Sequence, residues 1–83
     1  METVFEYIST QERLKKACES LLEEEEFGID IECENNLHHY GSFITLIQIS
    51  GKENYIIDVL EFEHLDPLVE VLENPKINKF LYL

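Results

Sequence analysis

Basic residues are scarce in this chain. Its 6 Lys and Arg stand against 18 Asp and Glu, a formal net charge of −12 over 83 residues. Phosphate backbones are gripped mainly by Lys and Arg, so this balance excludes simple electrostatic binding to nucleic acid, while its carboxylates suit divalent cations. Glycine and proline are few, at 3 and 2, which excludes a flexible linker or a low-complexity segment. With so few glycines there is no P-loop and no G-x-G-x-x-G fingerprint. No apolar run approaches the roughly 18 residues needed to span a bilayer, so no membrane insertion is expected. The two cysteines, Cys18 and Cys33, lack metal-site spacing and follow no apolar signal segment. Reduced thiols in an intracellular compartment, cytoplasmic or nuclear, are therefore expected.

What is present suffices for a fold. At 45% hydrophobic and 11% aromatic the chain is too apolar for an acidic disordered tail, and its length allows one domain. So short a chain buries only roughly 60% of the surface its unfolded form exposes, which leaves its stability marginal. The run Glu23 to Glu26 stands at the expected end of a helix, where negative charge opposes the macrodipole, and reads as a solubilising surface.

Residues 3–8 alternate Val4, Glu6 and Ile8 with Phe5 and Tyr7, a short β-prone segment. Ser9 and Glu12 have S-x-x-E spacing, so Ser9 is expected to cap a helix over residues 10–25. Leu14, Ala17, Cys18, Leu21 and Leu22 fall on one face of that helix. From Phe27 the period changes to two: Phe27, Ile29, Ile31 and Cys33 alternate with Gly28, Asp30, Glu32 and Glu34, a strand with one apolar and one acidic face. Residues 43–50 are nearly all apolar, as expected of a strand covered on both sides. The turn Ser50 to Asn54 leads into a third strand at Tyr55 to Asp58. Asp66 and Pro67 read as N-cap and first residue of a second helix, which carries Leu68, Val71 and Leu72 inward and stops near Asn74 and Pro75. Residues 77–83 form a last strand. A strand reached through a helix lies parallel to its sheet partner, so the pattern is α/β: an N-terminal helix, a three-stranded antiparallel meander, a crossover helix and a parallel strand.

Asp30 and Glu32 lie on one side of their strand, roughly 7 Å apart at about 3.3 Å rise per residue, and can converge on common ligands. Hard cations such as Mg²⁺ or Mn²⁺ want such oxygens. The same alternation also describes a strand face that simply meets water. Zinc is disfavoured, because Cys33, His38 and His39 would need further spaced ligands and only His64 and Cys18 remain. Cysteine nucleophilic catalysis is disfavoured too, since Cys33 falls on the apolar side of its strand.

The wider pattern is more specific. Asp30-Ile31-Glu32, Leu37-His38-His39-Tyr40, Leu46-Ile47-Gln48-Ile49-Ser50, Ile57-Asp58, Asp66-Pro67-Leu68 and Glu73-Asn74-Pro75-x-Ile77-x-Lys79 follow one another. Together they resemble the ribonuclease D-like branch of the DEDD 3′-5′ exonucleases, over residues 27–82 with weaker agreement in the first helix. The resemblance implies a ribonuclease H-like fold and hydrolysis of RNA or DNA 3′ ends to nucleoside monophosphates with two divalent cations, Mg²⁺ or Mn²⁺. It implies that Asp30 binds both ions and that Glu32 binds one while orienting the attacking water. It sets His38, His39 and Tyr40 beside the bound nucleotide, and leaves Gln48 to satisfy buried polar groups.

Departures from the family pattern matter as much. Tyr82 and Leu83 stand where the family commonly has His and a small residue. The second-motif Asp is expected beyond Leu83, as are the third-motif Tyr or His and the last metal-binding Asp. The resemblance thus makes residues 1–83 the N-terminal portion of a single exonuclease domain, inactive alone, whose partner is the remaining part of that domain. The competing reading is a non-catalytic nucleic-acid or protein interaction module of the same fold. Ile77, Phe80, Leu81 and Leu83 form a terminal apolar strand which, with nothing covering it, would favour a homodimer through its edge.

Overall fold

The computed structural model describes residues 4–35 and 42–82. The β-prone start becomes a short strand, β1 (Glu6–Ile8), which buries only Ile8. A helix, α1 (Gln11–Leu21), follows, and its cap is Thr10 and not Ser9: the Thr10 hydroxyl accepts from the Arg13 backbone N–H at 3.3 Å. Either hydroxyl could satisfy an orphan donor of the first turn, and the one adjoining Gln11 does so. The helix also stops earlier than its acidic tail suggested. Leu22 is the C-cap, and Glu23 and Glu24 donate back to the carbonyls of Ser20 and Leu21, each at 3.1 Å. A last turn without basic residues gives carboxylates no favourable place on the macrodipole, so the chain tightens and leaves the helix.

β2 (Glu26–Asn35), β3 (Ser42–Ser50) and β4 (Asn54–Asp58) form the expected antiparallel meander. A single 3₁₀ turn (Val59–Glu61), not expected from the pattern, leads to α2 (Asp66–Glu73) and then β5 (Asn78–Tyr82). Leu65 is the cap of α2 in place of Asp66, because its carbonyl accepts from Leu68 and Val69 at 2.9 and 3.0 Å. Asp66 then lies in the first turn, where its charge favours the helix. The sheet order is β1-β4-β3-β2-β5, with β5 parallel to β2 as the crossover requires and β1 parallel to β4.

Period-two alternation divides the sheet into two unlike faces. Ile8, Phe27, Ile29, Ile47, Ile49 and Ile57 are buried together with Leu14, Ala17, Cys18 and Leu21 of α1 and Leu68 and Val71 of α2. The opposite face carries Tyr7, Asp30, Glu32, Leu46, Gln48, Ile56, Asp58, Phe80 and Tyr82, all half-buried or exposed. Thus β3 is covered on one side only among the described residues, although its sequence is apolar on both. The β2–β3 ladder also departs from a regular register, with the extra residue on β3. Glu32 pairs with Leu46 but Cys33 with Ile44, so Thr45 is an extra residue whose hydroxyl donates to the Glu32 carbonyl at 3.2 Å. Beyond this irregularity Cys33 is exposed and not on a covered apolar face. Cys18 is the buried thiol, as its place in the helical stripe indicated, and burial pushes it up to about 11.

Candidate functional site

Asp30 and Glu32 stand on the open face near the middle of the sheet, both exposed. Asp30 faces Gln48 on β3 and Tyr82 on β5, and Glu32 faces Leu46, which in turn faces Asp58 of β4. Gln48 is therefore a half-buried neighbour of Asp30 on this face and not a member of the covered core. Asp58 is engaged elsewhere: its Oδ2 accepts from the Tyr7 hydroxyl, and that bond raises the tyrosine above its ordinary value of 10.0. Among the described residues, no group of three or more His, Cys, Asp or Glu converges as a metal cage. Asp30 and Glu32 are the two β2 carboxylates that share this face, two residues apart. His38, His39 and Tyr40 lie outside the described residues.

Two features were not anticipated. The first is Tyr82, which the crossover through α2 delivers beside Asp30. Its ring leans over Gly28, where a Cβ would stand 3.0 Å from Cε2. An isolated glycine inside a strand often marks such a close approach, so Gly28 carried a signal. The second is Glu24, a buried member of the acidic run that had read as plain surface. Its Oε1 accepts from the Lys52 backbone N–H at 2.7 Å, which ties the α1–β2 connection to the β3–β4 turn. A cleft of about 640 Å³ opens there, lined by residues 23–28, Ser50, Gly51, Lys52 and Phe80. It borders the open face at Gly28 but does not include Asp30 or Glu32.

A 3′-5′ exonuclease family model matches residues 5–82. No curated protein sequence matches significantly. Among solved structures, Escherichia coli RNase D, an exoribonuclease involved in structured RNA processing, is 28% identical with a TM-score of 0.88; the match covers 96% of this chain and 21% of that one. The catalytic core of RRP6 from Trypanosoma brucei is also 28% identical, with a TM-score of 0.84, covering 95% and 22%. Trypanosoma brucei RNase D in complex with RNA shares the fold at 21% identity and a TM-score of 0.83, covering 98% and 30%. The chain thus spans about a fifth to a third of these relatives. No helix among the described residues is long and apolar enough to cross a membrane.

Proposed function

Because the chain belongs to the 3′-5′ exonuclease family, we propose that it carries the first carboxylate pair of a metal-dependent exonuclease acting on RNA or DNA 3′ ends. The observation that supports this most is the placement of Asp30 and Glu32 on one exposed face, inside a segment that the family model matches throughout. The donor set fits the implied group. Mg²⁺ and Mn²⁺ take hard oxygen ligands, and Mg²⁺ commonly binds one or two protein carboxylates with water and substrate phosphate completing the shell. Divalent cations bound here would supply charge stabilisation for the phosphodiester and lower the pKa of an attacking water. In this reading Asp30 would hold both ions, and Glu32 would hold one and orient the attacking water through a hydrogen bond. Release of a nucleoside monophosphate follows from attack at the terminal phosphodiester.

Residues 1–83 are then the N-terminal portion of one exonuclease domain, and the remaining carboxylates come from polypeptide of the kind that makes up the larger share of the relatives. His38, His39 and Tyr40 are the proposed contacts to the terminal nucleotide. The activity of E. coli RNase D makes RNA the first substrate to test. In a protein containing the whole domain, Asp30→Ala or Glu32→Ala should each lower Mg²⁺-dependent degradation of single-stranded RNA by at least about a hundredfold. Wild-type rates in both variants would remove the assignment. The 83-residue chain alone should show no nuclease activity, and robust metal-dependent degradation by a contaminant-free sample would overturn the half-site reading. The alternative is a non-catalytic interaction module of the same fold. RNA binding without cleavage by the whole-domain protein would support that alternative.

A further inference from the structure

Two side chains that share an ion must converge, and strand geometry alone does not make them do so. Along a regular strand Asp30 and Glu32 project in parallel, roughly 7 Å apart, whereas ions that act together on a phosphodiester lie only about 3.5 to 4 Å apart. Bringing an exposed glutamate across by side-chain torsion alone freezes its rotamers, which is entropically unfavourable for so long a side chain. A change of backbone twist at one of the two residues turns its carboxylate without that loss. We propose that Thr45 fixes such a twist: it is a positioning residue that acts through the Glu32 main chain to set the direction of the Glu32 carboxylate relative to Asp30. The proposal rests on the reading of those two carboxylates as metal ligands given above.

The register locates the device. From Gly28 to Glu32 the β2–β3 ladder advances one residue for one, and Asp30 keeps regular partners on both sides, Gln48 of β3 and Tyr82 of β5. At Glu32 the regularity ends: Glu32 pairs with Leu46 and Cys33 with Ile44, so Thr45 between them has no register partner. An extra residue of this kind bends its strand, steepens the local right-handed twist and disrupts the ladder, and such bulges recur beside active sites, where they re-aim a side chain. The shift thus falls at one carboxylate of the pair and leaves the other in a regular frame. A bulge accepts many side chains, but serine and threonine carry a hydroxyl close enough to the main chain to bond a neighbouring backbone group. Thr45 does so: its half-buried side chain donates to the Glu32 carbonyl at 3.2 Å. The bond ties the Glu32 peptide to the residue that creates the twist, so that the orientation of this carboxylate is held by backbone and not by its own rotamer.

Thr45→Val keeps the branched shape and removes the donor, Thr45→Ala removes it with a smaller side chain, and Thr45→Ser keeps it. Mn²⁺ binding to the 83-residue chain, followed by electron paramagnetic resonance of the free ion, is the first readout. Thr45→Val and Thr45→Ala should each weaken Mn²⁺ about tenfold, the low end of the effect of losing a group that orients a metal ligand, and Thr45→Ser should remain within about twofold of wild type. Because Thr45 acts through Glu32, Thr45→Val should have no further effect on Mn²⁺ affinity in a Glu32→Ala background. In a protein containing the whole domain, Thr45→Val should lower kcat about tenfold and leave KM for single-stranded RNA unchanged. Equal weakening of Mn²⁺ by Thr45→Val with and without Glu32 would make Thr45 a structural residue and overturn the proposal. Unchanged Mn²⁺ affinity and kcat in Thr45→Val, alongside losses in Glu32→Ala, would overturn the positioning role while sparing the metal reading. Indifference of both readouts to Asp30→Asn and Glu32→Ala would remove the metal reading, and the role of Thr45 with it.

Discussion

Glu24 offers a quantitative test of the packing. It is the buried charged side chain among the described residues, 7% exposed, and its Oε1 accepts from Lys52 N at 2.7 Å. Removing a charged acceptor from a partly buried donor costs about 1.5 to 3 kcal/mol. Glu23, Glu25 and Glu26 line the same cleft and add like charge, and relieving that repulsion places Glu24→Ala at the low end, about 1.5 kcal/mol. For a chain of this size that lowers Tm by about 6 to 12 °C. Gly51 reports on the same contact from the other side, since a Cβ there would fall 2.2 Å from Oε1. The carboxylate ends a flexible side chain and can swing away, so the cost of Gly51→Ala is the forfeited hydrogen bond and not a rigid clash. That loss is partly offset by about 0.4 to 1 kcal/mol from restricting the unfolded chain. Once Glu24 is alanine the obstruction disappears, and Gly51→Ala should become neutral or stabilising. The two substitutions should therefore couple by about 1.5 kcal/mol in a double-mutant cycle measured by urea or thermal denaturation. Additivity within about 0.3 kcal/mol would refute the contact. Glu24→Gln, which keeps an oxygen acceptor, should lose less than Glu24→Ala.

Four other outcomes are expected. Titration with Mn²⁺ should give a dissociation constant of about 10⁻⁴ M or weaker, because two carboxylates and water make a poor all-protein cage; submicromolar binding that survives Asp30→Asn and Glu32→Ala would place the metal chemistry elsewhere. A thiol reagent at pH 8 should modify Cys33 and spare Cys18 until the chain unfolds. Because burial raises Cys18 from 9.0 to about 11, its contribution to stability is complete below pH 9 and is lost as the pH rises toward 11; denaturation of Cys18→Ala across that range should show a weaker alkaline decline than wild type, and an identical decline would remove the assignment. Sedimentation should reveal self-association through β5 that salt promotes by screening the net charge of −12, whereas a strict monomer at high concentration and moderate ionic strength would show that the edge is protected.

Much of the fold was legible because local rules suffice for it. The 3.6-residue spacing of Leu14, Ala17, Cys18 and Leu21 could bury only one helical face, and the period of two from Phe27 could sort side chains only to opposite sides of a sheet. The ordered blocks around Asp30 and Glu32 indicated the exonuclease family that the comparisons show. Element ends were less legible. The cap passed from Ser9 to Thr10 because adjacent hydroxyls compete for the same orphan donors, and α2 begins at Asp66 with Leu65 capping it through its carbonyl alone.

The chain's own pattern determined the elements, their order and the shared side of Asp30 and Glu32, since each follows from spacing within one segment. Only the tertiary structure decided which residues from distant segments meet. Glu24 looked like one of four equivalent surface carboxylates until the β3–β4 turn offered it the Lys52 N–H. Tyr82 became a neighbour of Asp30 only when the α2 crossover set β5 against β2 in that register. Cys33 is exposed where the β2–β3 register shifts opposite Thr45, a residue of another strand. Such contacts depend on strand register and chain reversal, which a one-dimensional pattern does not contain.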